Sequence, residues 1–168
     1  PALPTPLEKS AMFDGPADTI ERIVQEAGTH VAAVTVLCTL IFNDKQMILA
    51  KSGAPMEPGE AQIQPAEYSL CRFTADGRAK LVIEDAVTHP LVRDSKAVLD
   101  HGVAAYLGVP VFVSPDVAAI ICAVADQRHA WSKAEVEAID TAARQAAAVL
   151  VTGEYTEQDV LPIVPVHA

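Results

Sequence analysis

VAAYLGVPVFVSPDVAAIICAVA, residues 103–125, holds two apolar runs separated by the turn tripeptide Ser114-Pro115-Asp116. The proline pre-sets the backbone for a turn, and the β-branched content suits a pleated surface. The stretch therefore predicts paired strands over Val103–Val113 and Val117–Ala125. A second pair lies upstream. VAAVTVLCTLIF, Val31–Phe42, is apolar on both alternating faces, as expected of a central strand covered on both sides. Asn43-Asp44 then makes a turn, and Lys45–Lys51 returns with Met47, Ile48 and Leu49. Two hairpins imply a mainly antiparallel sheet with helices against it.

Outward from these strands the period changes. Asp14-Gly15-Pro16 supplies a capping acid and a first-turn proline, Ile20, Ile23, Val24 and Ala27 recur at helical spacing, and Gly28 reads as the stop. Near the other end, Ser132 and Glu135 have the spacing of a capping box, with Trp131 and Val136 placed as a hydrophobic staple. Val136, Ile139, Ala143, Ala146 and Leu150 follow as a seam of mostly small side chains, suited to a sheet or a partner helix, and Gly153 closes the helix. Between the hairpins, Ser52–Pro65 reads as a long connection rich in Gly and Pro. A short helix then carries Tyr68, Leu70, Cys71, Phe73 and Thr74, with Asp76-Gly77 ending it before a strand over Ala79–Glu84. Asp85–His101 is irregular around Pro90, with one helical turn at Lys96–Leu99. The fold class is α+β. The chain divides into a loose arm at 1–13, one domain over 14–153 and an irregular tail at 154–168.

Composition bounds the function. A chain of 168 residues, about half of them apolar, is enough for one domain with a substantial core. Acidic groups outnumber basic ones 22 to 12 without any Lys or Arg cluster, which argues against nucleic-acid binding. Three cysteines in apolar surroundings suit reduced thiols, and hence a cytoplasmic setting, better than a disulfide framework. No stretch reaches the roughly 20 apolar residues of a membrane span, and no partner membrane is expected.

Four pieces in order, Ser69-Leu70-Cys71, Leu81–Asp85, Tyr106–Val111 and Trp131–Glu135, resemble the GAF domain family. The resemblance covers roughly Asp18 to Val151. It implies a five- or six-stranded antiparallel sheet with terminal helices on one face and a ligand cavity on the other. The cavity would be roofed by Glu67–Thr74 and Asp85–Val103. The family hosts many activities, so the fold does not settle function.

Within that resemblance, several functions can be weighed residue by residue. The free methionine-R-sulfoxide reductase branch needs a reactive cysteine where this chain has Ser95, and serine forms neither a sulfenic acid nor a disulfide. No cysteine is followed by histidine, as bilin attachment commonly requires. The sole asparagine, Asn43, lies in a turn, away from a cyclic-nucleotide constellation. The histidines and cysteines lack metal-ligand or haem spacing. The expected function is thus a non-catalytic, bacterial-type sensory module that binds an unidentified small molecule and signals through its terminal helices. A ligand-free homodimerisation module is the alternative, and the free methionine-R-sulfoxide reductase is the third reading. The ligand-site candidates are Tyr68, Cys71, Arg72, Asp85, His89, Arg93 and Tyr106. Arg72 and Arg93 can clamp a carboxylate or phosphate. Cys71 is the redox candidate, and His89 sits in the roof. For each, a plain packing, loop or surface role competes. Cys38 and Cys122 read as core, and His30, His101 and His129 as surface turn residues.

Overall fold

The computed structural model describes residues 16–31, 34–53 and 63–151; the arm at 1–13, the tail at 154–168 and the stop at Gly153 lie outside the described residues. Among the described residues, six strands form one antiparallel sheet: β1 (Thr35–Phe42), β2 (Lys45–Lys51), β3 (Ile63–Pro65), β4 (Leu81–Ile83), β5 (Ala105–Ser114) and β6 (Val117–Ala125). Their spatial order is β3-β2-β1-β6-β5-β4. The two hairpins therefore lie side by side, joined through the β1–β6 pair. The β1–β2 turn has positive φ at both Asn43 (45°) and Asp44 (60°), the backbone of a tight turn whose twist matches the strands.

Helix α1 (Pro16–Thr29) and helix α4 (Lys133–Leu150) cover one face. Val36, Cys38 and Leu40 of β1 and Ala119, Ile121 and Ala123 of β6 pack there against Ile20, Val24, Ile139 and Ala146. The seam of α4 is used up in this layer, since Ile139, Ala143, Ala146 and Leu150 are all buried in the chain's own core. The capping box forms as expected: Ser132 Oγ accepts from the Glu135 N–H (3.1 Å), and Glu135 Oε1 accepts from the Ser132 N–H (2.9 Å). Trp131 fastens this end to the sheet by donating from Nε1 to the Ile83 carbonyl (3.0 Å).

The opposite face is covered by a 3₁₀ turn (Ala66–Tyr68), helix α2 (Cys71–Gly77) and helix α3 (Lys96–Leu99). Leu70, Cys71, Ala86, Val92, Ala97 and Val98 share one core cluster with Ile83, Tyr106, Ile120 and Cys122. The segments flanking Cys71 and Pro90 thus pack over the same side of the sheet.

Three local expectations change. Gly28 lies inside α1 rather than ending it, because a Cβ there would meet Ser52 Cβ at 2.6 Å; the glycine serves close packing. The left-handed stop of α2 is Arg78 (φ 54°), not Gly77, and the Arg78 guanidinium lies 3.9 Å from the Phe112 ring centroid. Ile63–Pro65, read as part of a connection, is an edge strand on β2, a position that tolerates proline because one side of the strand has no neighbour among the described residues.

Candidate functional site

The site is organised by how α2 sits on β5 and β6. Ser69 Oγ accepts from the Cys71 N–H (3.0 Å), turning the chain into α2 so that Cys71 and Thr74 face the sheet. Gly108, directly opposite Cys122 in the β5–β6 ladder, leaves bare backbone on which the Tyr106 side chain lies. The Tyr106 ring is fully buried, and its hydroxyl shares a hydrogen bond with Thr74 Oγ1 at 2.8 Å. Beside it, Cys71 Sγ and Cys122 Sγ are 3.5 Å apart. Thr39 adds a hydroxyl near the Cys71 sulfur that has no hydrogen-bond partner by geometry among the described residues.

Burial works to raise the Cys71 thiol, but the polar groups of Cys122, Ser69, Thr39 and Tyr106 around it outweigh burial and hold the group below its ordinary value. The hydrogen bond to Cys71 and burial both push Cys122 well above its own. A charge resting on the pair therefore rests on Cys71. Burial, and then the nearby sulfurs, push Tyr106 up as well, so its hydroxyl stays protonated and able to donate. Cys38, on the other face of the sheet, is pushed up to about 12 by burial first and by Cys71 second.

Among the described residues, Tyr106, Cys71 and Cys122 pack together beneath the roof, and a cavity lies beside them. A half-open cavity of about 860 Å³ opens toward the hairpin turns. One wall is α2, with Arg72, Asp76 and Arg78; the other is the two turns, with Asp44 and Asp116; Ile41 and Ala118 lie on the same strands as the core below. Arg72 Nε is buried without a hydrogen-bond partner among the described residues, while its guanidinium rests 4.5 Å from the Phe73 ring centroid. Glu67, also lining the cavity, pairs outward with Lys96 (3.0 Å).

Of the seven candidates, Arg72 alone lines this cavity, and Cys71 and Tyr106 meet in the core next to it. Tyr68 is half-buried in the roof, edge-on to His101 with ring centroids 5.1 Å apart. Asp85 is half-buried just past β4. His89 Nδ1 accepts from the Leu91 N–H (3.2 Å), which fixes its ring within its own loop. Arg93 is 56% exposed and turns to Asp94 at 3.8 Å, away from the cavity. Sequence reading missed Arg78, Phe112 and Asp116 as cavity residues, because only the fold brings α2 against the hairpin turns. It also missed the meeting of Cys122 with Cys71. The glycine inside the β5 pattern was the available signal that something lies flat on that strand. His129, read as a surface turn residue, is half-buried, with its ring centroid 4.4 Å from that of Trp131 and Nε2 2.9 Å from Glu135.

One antiparallel sheet, terminal helices on one face and a short-helix roof beside a cavity on the other define an α+β sheet-and-helix domain. The chain belongs to the GAF domain family, whose model matches residues 15–151. Solved structures agree on the fold. The GAF domain of an Acinetobacter phosphoenolpyruvate-protein phosphotransferase has a TM-score of 0.62 at 15% identity, covering 86% of this chain and 87% of that one. The blue-light-absorbing PixJ GAF domain of Thermosynechococcus elongatus has a TM-score of 0.63 at 17% identity, covering 88% and 92%. A free methionine-R-sulfoxide reductase from Neisseria meningitidis, solved with its substrate, has a TM-score of 0.58 at 12% identity, covering 92% and 86%. No curated protein matches the sequence. Among the described residues, no helix is long and apolar enough to cross a membrane.

Proposed function

We propose that this GAF domain is a non-catalytic sensory module whose cavity between α2 and the hairpin turns takes a small molecule with an anionic group, anchored at Arg72. The observation that carries the reading is the buried Nε of Arg72 beside that cavity, without a hydrogen-bond partner among the described residues. A buried guanidinium N–H without an acceptor is costly, and a carboxylate or phosphate would satisfy it with a charge-assisted bond. Asp44 and Asp116 on the facing wall favour an amine or hydroxyl at the other end of the ligand. Ligand seated there touches β1, β5 and β6 residues at once, and the other side of that sheet is the bed of α1 and α4. Occupancy would reach the terminal helices by that route.

Isothermal titration of the purified chain against a panel of small carboxylates, phosphates and their amino-substituted counterparts tests the reading. Saturable heat that disappears in Arg72→Met supports it; absence of binding across the panel, together with native mass spectrometry showing nothing retained, refutes it. The non-catalytic part rests on Ser95, whose side chain accepts from the Val98 N–H (3.4 Å) as the cap of α3. An NADPH-coupled assay with free methionine sulfoxide checks that part directly.

A homodimer through the terminal helices is the second reading. It is supported by the groove of about 270 Å³ between α1 and α4, lined by Ala27, His30, Ala134 and Ala138. Because the α4 seam is already covered by the sheet, such a dimer would use this outer groove. Sedimentation of wild type and Thr141→Arg decides it: a dimer lost on substitution supports it, and a monomer at high concentration ends it.

A further inference from the structure

We propose that Cys71 and Cys122 form an oxidisable dithiol, a site for small hydroperoxides, that closes to a disulfide and ties α2 to β6. The inference stands apart from ligand binding in the cavity. Its basis is geometric. The two sulfurs are 3.5 Å apart and come from positions 51 residues apart in the chain, on a roof helix and a central strand. A disulfide has sulfurs about 2.05 Å apart, so closure requires an approach of roughly 1.4 Å. Helix α2 has only seven residues and rests on side-chain packing above the sheet, so it can supply that movement. Cys38 cannot compete, because it occupies the opposite face of β1.

The surroundings suit the chemistry. Tyr106, Thr39 and Ser69 place hydroxyls near the Cys71 sulfur in an otherwise apolar cluster, and Thr74 holds the Tyr106 hydroxyl. Polar groups near the sulfur favour the thiolate of Cys71, and thiolate is the nucleophile. Both sulfurs are buried at rest, Cys71 at 2% exposure and Cys122 at 0%, so access requires the roof to open. A peroxide is small enough to enter when the short α2 opens locally.

The reaction balances with a hydroperoxide as oxidant. The Cys71 thiolate attacks the terminal peroxide oxygen; an S–O bond forms, the O–O bond breaks, and the departing alkoxide or hydroxide takes the proton that Cys71 gave up. Sulfur loses two electrons and becomes a sulfenic acid. Cys122 then gives up its proton, its sulfur attacks Cys71, an S–S bond forms, the S–O bond breaks, and the leaving hydroxide takes that proton as water. Two thiols and one hydroperoxide become a disulfide, an alcohol or water, and a further water.

The test uses the full, reduced chain, treated with hydrogen peroxide and then alkylated in denaturant. Of the three cysteines, two should lose their reactivity and one should keep it. Peptide mapping should find one cross-link joining the Cys71 and Cys122 peptides, reversed by a dithiol reductant, with Cys38 alkylated throughout. In Cys122→Ser the sulfenic acid on Cys71 should persist and be trapped by a dione reagent, whereas Cys38→Ser should still form the cross-link. Loss of all three thiols together, a cross-link that includes Cys38, or three intact thiols where the denatured chain oxidises fully would each overturn the proposal. The wild-type mapping requires no variant to fold.

Discussion

Replacing Gly108 with alanine should destabilise the domain, although alanine is intrinsically better than glycine in a strand by about 0.5–1 kcal/mol. The new Cβ would collide with the Tyr106 hydroxyl and lie 2.6 Å from Cζ and 2.7 Å from Cε1. Carbon atoms pack at about 3.5–4.0 Å, so the ring must move by roughly 1 Å. Tyr106 has no room to do so, since it is completely buried between Ile83, Cys71 and Cys122. Overpacking of this kind costs about 1–3 kcal/mol. Displacement also breaks the 2.8 Å bond to Thr74, and an orphaned buried hydroxyl costs about 1–3 kcal/mol more. The expected net loss is about 2–4 kcal/mol, or roughly 6–12 °C in melting temperature for a chain of this size. Urea titration with a fixed m-value measures it. The same substitution in a Tyr106→Ala background should be close to neutral, giving a coupling energy of about 2 kcal/mol or more. An equal cost in both backgrounds, or a stabilised Gly108→Ala, would show that the tyrosine is not what makes glycine necessary.

Other perturbations probe different parts of the molecule. Ser132→Ala should lower stability by about 1 kcal/mol in chemical denaturation, by removing the acceptor for the Glu135 N–H. Burial raises the Glu135 carboxyl, but the Ser132 N–H and His129 outweigh it and hold the group below its ordinary 4.5. Its contribution is therefore complete above that unfolded value and fades as pH falls through the folded one. The stability gap between wild type and Glu135→Gln should narrow from about pH 6 to pH 3, and a constant gap would contradict the assignment. Ala143→Glu should unfold the chain, by on the order of 3–5 kcal/mol, rather than split a dimer, because it places an unpaired carboxylate against the sheet; circular dichroism separates the two outcomes. Arg72→Met should weaken an anionic ligand about 10–100-fold while changing unfolding free energy by no more than about 1 kcal/mol, measured by titration calorimetry and urea melts on one preparation.

What could be read from the chain was whatever neighbouring residues decide among themselves. The Asn43-Asp44 and Pro115-Asp116 turns, the strands Lys45–Lys51 and Val117–Ala125, the helical turn Lys96–Leu99 and the capping box at Ser132 all rest on backbone preferences or contacts within a few residues. The family motifs fall, in order, at the start of α2, on β4, on β5 and at the capping box, so antiparallel sheet, layer order and family followed. Where distant residues intervene, local reading failed in a consistent way. Gly28 was not legible as a contact position, and Gly108 signalled a close approach without naming what approaches, because the neighbours are Ser52 and the folded-over Tyr106 ring. Arg78 holds the left-handed position instead of Gly77, with Phe112 beneath its guanidinium.

The sequence by itself determined the periodicities, the turns and the absence of a cysteine at position 95, because each depends on residue type and near neighbours alone. Only the tertiary structure decided that the roof is packed with Tyr106, that the open space lies beside it between Arg72 and Asp116, and that Cys71 touches Cys122. Those three facts are meetings between a short helix and strands thirty or more residues away. Such meetings are fixed by how two layers close over a sheet, and no local preference records them.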